Sequence, residues 1–328
     1  MTGLSIHLTV IYYKWFNMNS YIAITTDKRN TNTMIASAKD SAKDSAKDMV
    51  NGVVDLISLP EIYLRVNQLI EDPEHNAQQL GELIGHDPAL TARVLRIVNS
   101  AYYALAVKVE LVSRAIPLLG EDELRNLVLA TSTVETLARI PNQLLNINQF
   151  WQHSIYTGII ARLLARHCNI LHGERLFIAG MLHDIGKLIL YYKEPQLSEQ
   201  VLIQAAEANG MLYQAEKAII GFTHAAVGGA LMEAWGLPDT LKEIITYHHT
   251  PLNAKLYPLE TAILHIADAI VNSLEPGTPV DEHLLDNMVS FEPGTLNVIG
   301  LDLTKLPALM EKAGEQAAAV MKIICPNA

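Results

Sequence analysis

From Leu59 onward the apolar side chains recur at intervals of three and four residues, with no convincing alternating stretch or hairpin turn between them. That spacing belongs to helices with one buried face, and it argues against a sheet-based core. Leu59, Ile62, Tyr63, Val66, Leu69 and Ile70 form the first stripe, with Pro60 in a first turn that tolerates proline and Pro73 beyond the end. Asn76 caps a short segment carrying Leu80, Leu83 and Ile84, and Asp87-Pro88 opens another carrying Leu90, Val94, Leu95 and Val98. Further helices follow Ser113 and Asp122, separated by Gly120, and the second runs towards Pro141.

A connection rich in asparagine, Ile140 to Asn148, leads into a second helical half. Its segments are expected over 147–168, 174–192, 197–209 and 223–235, then from Pro238 to His248, from Pro258 through Asp268 to Leu274, and over 306–324. The expected fold is therefore all-α: a two-lobed helical bundle with a small N-terminal lobe over 53–140 and a second lobe over 147–275. A helical extension, 276–328, follows.

The first fifty residues differ. They carry a slight basic excess and the tandem Ser-Ala-Lys-Asp repeat that starts at Ser37, whose period of four has no apolar face. Residues 1–52 are expected to be a poorly ordered leader. Its apolar stretch from Leu4 to Phe16 is too short to span a bilayer and has neither the basic start nor the cleavage site of a signal peptide.

Half of the 328 residues are hydrophobic and 18% are charged, which excludes global disorder. A net charge of −11 makes duplex nucleic acid a poor partner. Two distant cysteines, Cys168 and Cys325, supply neither a disulfide framework nor a thiolate metal site and point to a reducing compartment, so a cytoplasmic location is expected. Against that scarcity stand twelve histidines.

Seven residues with metal-binding chemistry fall on or beside second-lobe helices: His153, His183, Asp184, His224, His248, His249 and Asp268. Helical bundles build metal sites by aiming such side chains inward from facing helices. His183 and Asp184 lie about 100° apart around a helix, and Lys187, four and three residues on, shares their face, where it can meet a phosphate oxygen. Nitrogen and carboxylate ligands without thiolate favour Fe, Mn, Zn or Ni over Ca. Each residue also has a plainer reading. Asp184 can bond a backbone amide, His248 and His249 suit a helix C-terminus, and Asp268 can pair with a lysine.

The run Met181-Leu182-His183-Asp184-Ile185-Gly186-Lys187-Leu188 resembles the signature of the HD superfamily of metal-dependent phosphohydrolases. The first lobe resembles, more closely, the HDOD family, the HD-related output domain of bacterial signalling proteins. The segments that carry this are Leu59-Pro60-Glu61 to Arg65-Val66, Asp87-Pro88-Ala89-Leu90 through Leu95 to Tyr103, Ala115-Ile116 to Leu119-Gly120, and Leu124-Arg125. The resemblance covers about residues 53–275 and implies an HD-like helical core with a role in signal transduction. By similarity to the HD-GYP phosphodiesterases it implies metal ligands at His153, His183, Asp184, His224, His248, His249 and Asp268, with Lys187 facing phosphate. Two divalent transition-metal ions are implied, Fe or Mn ahead of Zn or Ni. Thr250 stands where those enzymes carry a glutamate, Ala254 and Leu256 replace the glycines of their substrate loop although Tyr257-Pro258 remain, and Gln149 replaces an acidic residue that some members use for a third metal.

Two readings follow. One is a signalling output module that holds metal and meets signalling proteins, and a nucleotide, in trans, as a monomer or an oligomer. The other is an active metal-dependent phosphohydrolase or phosphodiesterase acting on a nucleotide or cyclic dinucleotide, with Asp184 and Lys187 as its catalytic residues. His265, three residues before Asp268 on the same helix face, is a candidate neighbour of the ligands.

Overall fold

A computed structural model describes residues 46–51, 53, 57–137, 140–170, 173–207, 211–273, 292, 294–300 and 303–325. All regular structure among them is helical. The bulk of the expected leader, with most of its repeat, lies outside the described residues, as does the start of the expected extension. The last turn of the leader is a correction to that expectation: α1 (Ala46–Asn51) is a helix that buries Met49 and Val50 in the common core, and Lys47 reaches Glu233 at 3.0 Å.

The first lobe contains α2 (Glu61–Ile70), α3 (Ala77–Gly85), α4 (Pro88–Val98), α5 (Val112–Leu119) and α6 (Glu121–Leu137). Local sequence sets their starts. Asn76 and Gln79 form a reciprocal capping box on α3, and Asp87 accepts from the amides of Ala89 and Leu90 ahead of Pro88 in α4. Gly120, at φ 92, turns the chain between α5 and α6 in a conformation that suits only glycine.

The second lobe is organised around α7 (Ile147–His167), which is buried on nearly every side from Phe150 to Ala165. Packed on or near it are α8 (Glu174–Leu182), α9 (Ile185–Lys193), α10 (Pro195–Glu207), α11 (Leu212–Ile219), α12 (His224–Ala234), α13 (Asp239–Tyr247), a 3₁₀ turn (Pro251–Asn253) and α14 (Pro258–Ser273). The single helix expected over 174–192 is two helices, broken at His183 and Asp184. Helix α11 has no counterpart in the sequence reading.

The lobes share one core. Arg162 of α7, almost fully buried, donates to the carbonyl of Tyr102 at 3.1 Å and lies 3.8 Å from the centre of its ring, while that ring packs 4.9 Å from Phe177 of α8. Among the described residues, two further α-helices follow the second lobe, α15 (Gly294–Ile299) and α16 (Leu306–Ile324). The latter is no appendage, since it lies against α7 of the second lobe and α4 of the first and buries Leu306, Met310, Ala313, Ala317 and Val320. No helix among the described residues is long and apolar enough to cross a membrane.

Candidate metal centre

Five segments of chain deliver the seven candidate residues. His153 comes from the second turn of α7, His183 and Asp184 from the break between α8 and α9, His224 from the first residue of α12, His248 and His249 from the end of α13, and Asp268 from the middle of α14. The break depends on close packing. A Cβ on Gly186 would lie 2.0 Å from the carbonyl oxygen of His224, so only glycine lets the start of α9 touch the start of α12.

All seven converge. They fall into two groups, His153, His183 and Asp268 in one and Asp184, His224, His248 and His249 in the other, and the donor atoms within each group lie within 4.8 Å of one another. Asp184 joins them. Its Oδ2 is 3.4 Å from His183 Nε2 and 3.6 Å from His153 Nε2, whereas its Oδ1 is 3.1 Å from His224 Nε2 and 4.0 Å from His248 Nε2. Asp268 Oδ1 lies 3.0 Å from His153 Nε2 and 3.4 Å from His183 Nε2. Lys187 Nζ is 2.6 Å from Asp184 Oδ2, on the face the sequence spacing predicts.

The imidazoles are oriented from behind. Nδ1 of His183 donates to the carbonyl of Gly180 and Nδ1 of His248 to that of Ile245, each at 2.7 Å, so in the neutral ring Nε2 presents its lone pair to the cluster. His265 stays outside the cluster but touches it from behind, donating from Nδ1 to the carbonyl of His248 at 2.7 Å and accepting from the amide of Glu292 at 3.0 Å. Tyr213 stacks on His249, with ring centres 4.7 Å apart.

Glu216 is the residue that the sequence reading missed. Fully buried on α11, its carboxylate accepts from His224 Nδ1 at 2.7 Å and from the His224 backbone amide at 2.9 Å. The spacing of Leu212, Ala215 and Ile219 signals the helix, but nothing in it signals the bond, which needs the turn at 220–223 to fold Glu216 back onto His224.

Electrostatics follow from crowding. Burial alone would raise the pKa of Asp184, yet the adjacent His183, Lys187 and His224 outweigh it and hold the carboxyl well below the ordinary range. His153 and His183 do the same for Asp268, again against burial. Burial pushes His248 and His249 well down, and the neighbouring imidazoles push them further, so both rings are neutral. At His224 burial is overcome by Glu216 and Asp184, and its pKa is pushed up to about 9.

Two atoms test whether the residues fit a cation. His248 Nε2 is buried without a hydrogen-bond partner, an arrangement that is costly unless a further group completes it, and Asp184 Oδ1 has only His224 Nε2, at 3.1 Å. Five imidazoles and two ionised carboxylates facing one enclosed point, with no thiolate, form a donor set suited to divalent transition-metal ions. The fit is good.

The loop after the histidine pair departs from a glycine-rich one. Glu243 accepts from the backbone amides of Lys255, Leu256 and Tyr257 at 2.9, 2.9 and 2.5 Å, which pins the turn, and Leu256 projects outward with two thirds of its surface exposed.

Comparison with known proteins agrees with this architecture. An HDOD domain protein of unknown function from Geobacter sulfurreducens is 28% identical and superposes with a TM-score of 0.66, covering 89% of this chain and 98% of that one. A candidate phosphohydrolase from Shewanella amazonensis is 26% identical, with a TM-score of 0.65 over 84% of this chain and 98% of that one. The cyclic di-GMP phosphodiesterase CdgJ of Vibrio cholerae is 26% identical over 118 residues, 36% of this chain. The chain spans 44% and 26% of the lengths of the curated relatives it matches. The HDOD domain itself matches residues 56–251, from the start of the first lobe to the histidine pair and just beyond, and on that match the chain belongs to the HDOD domain family.

Proposed function

We propose that this chain is a regulatory output module of bacterial signal transduction whose second lobe holds two divalent transition-metal ions, Fe or Mn ahead of Zn or Ni. The observation that carries the reading is the enclosure of a complete donor set. Of the seven side chains only that of His249 is more than a tenth exposed, at 14%. Such a site is built to retain an ion more than to admit a large substrate. In this reading Asp184 bridges the two groups through its separate oxygens, Asp268 completes the first, and Glu216 fixes the His224 tautomer so that Nε2 faces inward. Ions held there would stabilise the junction of α7, α9, α12, α13 and α14, and the module would meet signalling partners.

A second reading, hydrolysis of a phosphate ester, is favoured by Lys187, whose ammonium lies beside Asp184 where a phosphoryl oxygen would need a counter-charge. Bound ions supply Lewis acidity to such a reaction. The pinned loop at 254–257 argues against the cyclic dinucleotide specificity of the glycine-loop enzymes.

Elemental analysis after reconstitution with Mn or Fe tests the first reading. About two ions per chain are expected in the wild type, and Asp184→Ala should lose both. A wild-type protein that stays empty removes the metal centre and both readings that use it. Assays of the same samples against cyclic dinucleotides, nucleotides and simple phosphodiesters decide between the two. Turnover that disappears in Asp184→Ala and falls in Lys187→Ala establishes the enzyme; its absence from the metal-loaded wild type leaves the regulatory module.

A further inference from the structure

Between the lobes lies a cavity of about 290 Å³ that shares no residue with the metal cluster. One wall comes from α2 and α6 of the first lobe, the other from the first turns of α8 and α13 of the second. Most of the charges around it are already committed. Arg125 pairs with Asp122 and bonds Asn67, and Glu174 lies 3.9 Å from both Arg162 and Arg166.

Three features are not. Glu123 is buried, with 6% of its surface exposed; Tyr103 donates its hydroxyl to Oε1, and Oε2 has no hydrogen-bond partner. Burial, helped by the charge of Glu174, pushes its pKa up to about 8, so at neutral pH it is a carboxylic acid with a proton to donate. Arg175 lines the cavity and forms no ion pair among the described residues. Helices α8 and α13 start at the cavity, from Gly173 and Pro238, without a side-chain cap, and carry Glu174 and Asp239 in their first turns. Leu119, Leu129 and Leu241 supply an apolar surface between these polar groups.

We propose that this interlobe cavity binds a small organic oxyanion, a compact apolar body bearing one carboxylate or phosphate, with the oxyanion on Arg175 and the first turns of α8 and α13 and an acceptor atom on Glu123. Its position gives the site a consequence. The helices whose starts line the cavity end at metal-cluster residues, α8 at His183 and α13 at His248, and each is nine residues long. At about 1.5 Å per residue the cavity and the cluster stand at opposite ends of two rigid rods. A ligand that draws those starts towards α6 therefore acts on the elements that carry His183 and His248.

Isothermal titration of the full chain against aromatic carboxylates, mononucleotides, acetate and inorganic phosphate tests the site. An aromatic carboxylate or a mononucleotide is expected to bind, and which of the two does so identifies the oxyanion; acetate and inorganic phosphate, which lack the apolar body, should bind at least tenfold more weakly. Arg175→Ala should weaken binding by about tenfold or more, the effect of losing a charge-assisted hydrogen bond. Glu123→Gln, which keeps a neutral donor, should bind as the wild type, and Glu123→Leu should not. Circular dichroism and the metal content of each variant report whether it has folded, and Arg175→Gln serves in place of Arg175→Ala if the latter has not. The proposal is overturned if no panel member binds the wild type at millimolar concentration, or if folded Arg175 variants bind unchanged. Either result leaves the metal centre untouched.

Discussion

Glu216 shows how much of a site one residue can decide from outside it. Its carboxylate holds both His224 Nδ1 and the His224 amide, and no other described group is bonded to that ring nitrogen. Glu216→Gln keeps an acceptor but removes the charge that would make His224 a stronger ligand in the proposed metal centre, so metal affinity should fall by roughly 10- to 100-fold with the fold intact. A competitive chelator titration measures this, and unchanged affinity would reduce Glu216 to a packing role. Glu123 gives a prediction in pH. Its folded pKa of about 8 stands above the ordinary 4.5, so it favours the folded state most at low pH and loses that contribution as pH rises from 4.5 to 8. Tyr103 and Glu174 face the carboxyl, with Arg162 and Arg166 acting on it from α7. Urea midpoints should therefore fall less steeply over that range in Glu123→Gln than in the wild type, and parallel curves would show that Glu123 does not titrate there. Neither glutamate was legible in the sequence. The histidines and aspartates declare themselves by type and order, whereas Glu216 and Glu123 matter only through burial and through contacts made across turns.

At the scale of elements the helical period was read well and its interruption was not. Apolar residues continue through 174–192 without a gap, because a break of two residues at His183 and Asp184 leaves both flanking stripes facing the same core. What marks the break is the backbone, with Asp184 at φ −94 and ψ 2, and the crossing that Gly186 permits. A second crossing is nearly as tight. A Cβ on Gly180 of α8 would stand 2.3 Å from the Cα of Gly158 on α7, so these helices touch backbone to backbone directly behind His183. Gly180→Ala must force them apart, and a cost of about 1–3 kcal/mol or more is expected from chemical denaturation. Gly85, at the end of α3 with nothing within 4 Å of its Cβ position, is the control. There alanine should be neutral or stabilising by up to about 1 kcal/mol. Equal effects at the two sites would mean that the α7–α8 contact is not the constraint.

For the molecule as a whole, the two lobes were legible as separate runs of helices, but what joins them was not. Periodicity reports that α16 has a buried face without saying which helices it meets. That face, Leu306, Met310, Ala313, Ala317, Val320 and Ile324, advances by alternating steps of three and four, and it lies across α4 of the first lobe and α7 of the second. A helix with that placement acts as a tie. Leu306 is fully buried, and Leu306→Ala should cost about 2–5 kcal/mol through lost contact and the cavity left behind. Removing residues 303–328 should do more, because it uncovers the apolar flanks of α4 and α7 together, and α7 carries His153 into the metal cluster. If α16 ties the lobes, the truncated chain will show a lowered unfolding midpoint and a weaker hold on metal, both scaled down in Leu306→Ala. If it is only draped over finished lobes, the truncated chain will unfold at the wild-type midpoint with its metal content unchanged. Parallel denaturation and elemental analysis of the three proteins separate these outcomes, since a tie lowers midpoint and metal content together whereas a mere cover moves neither.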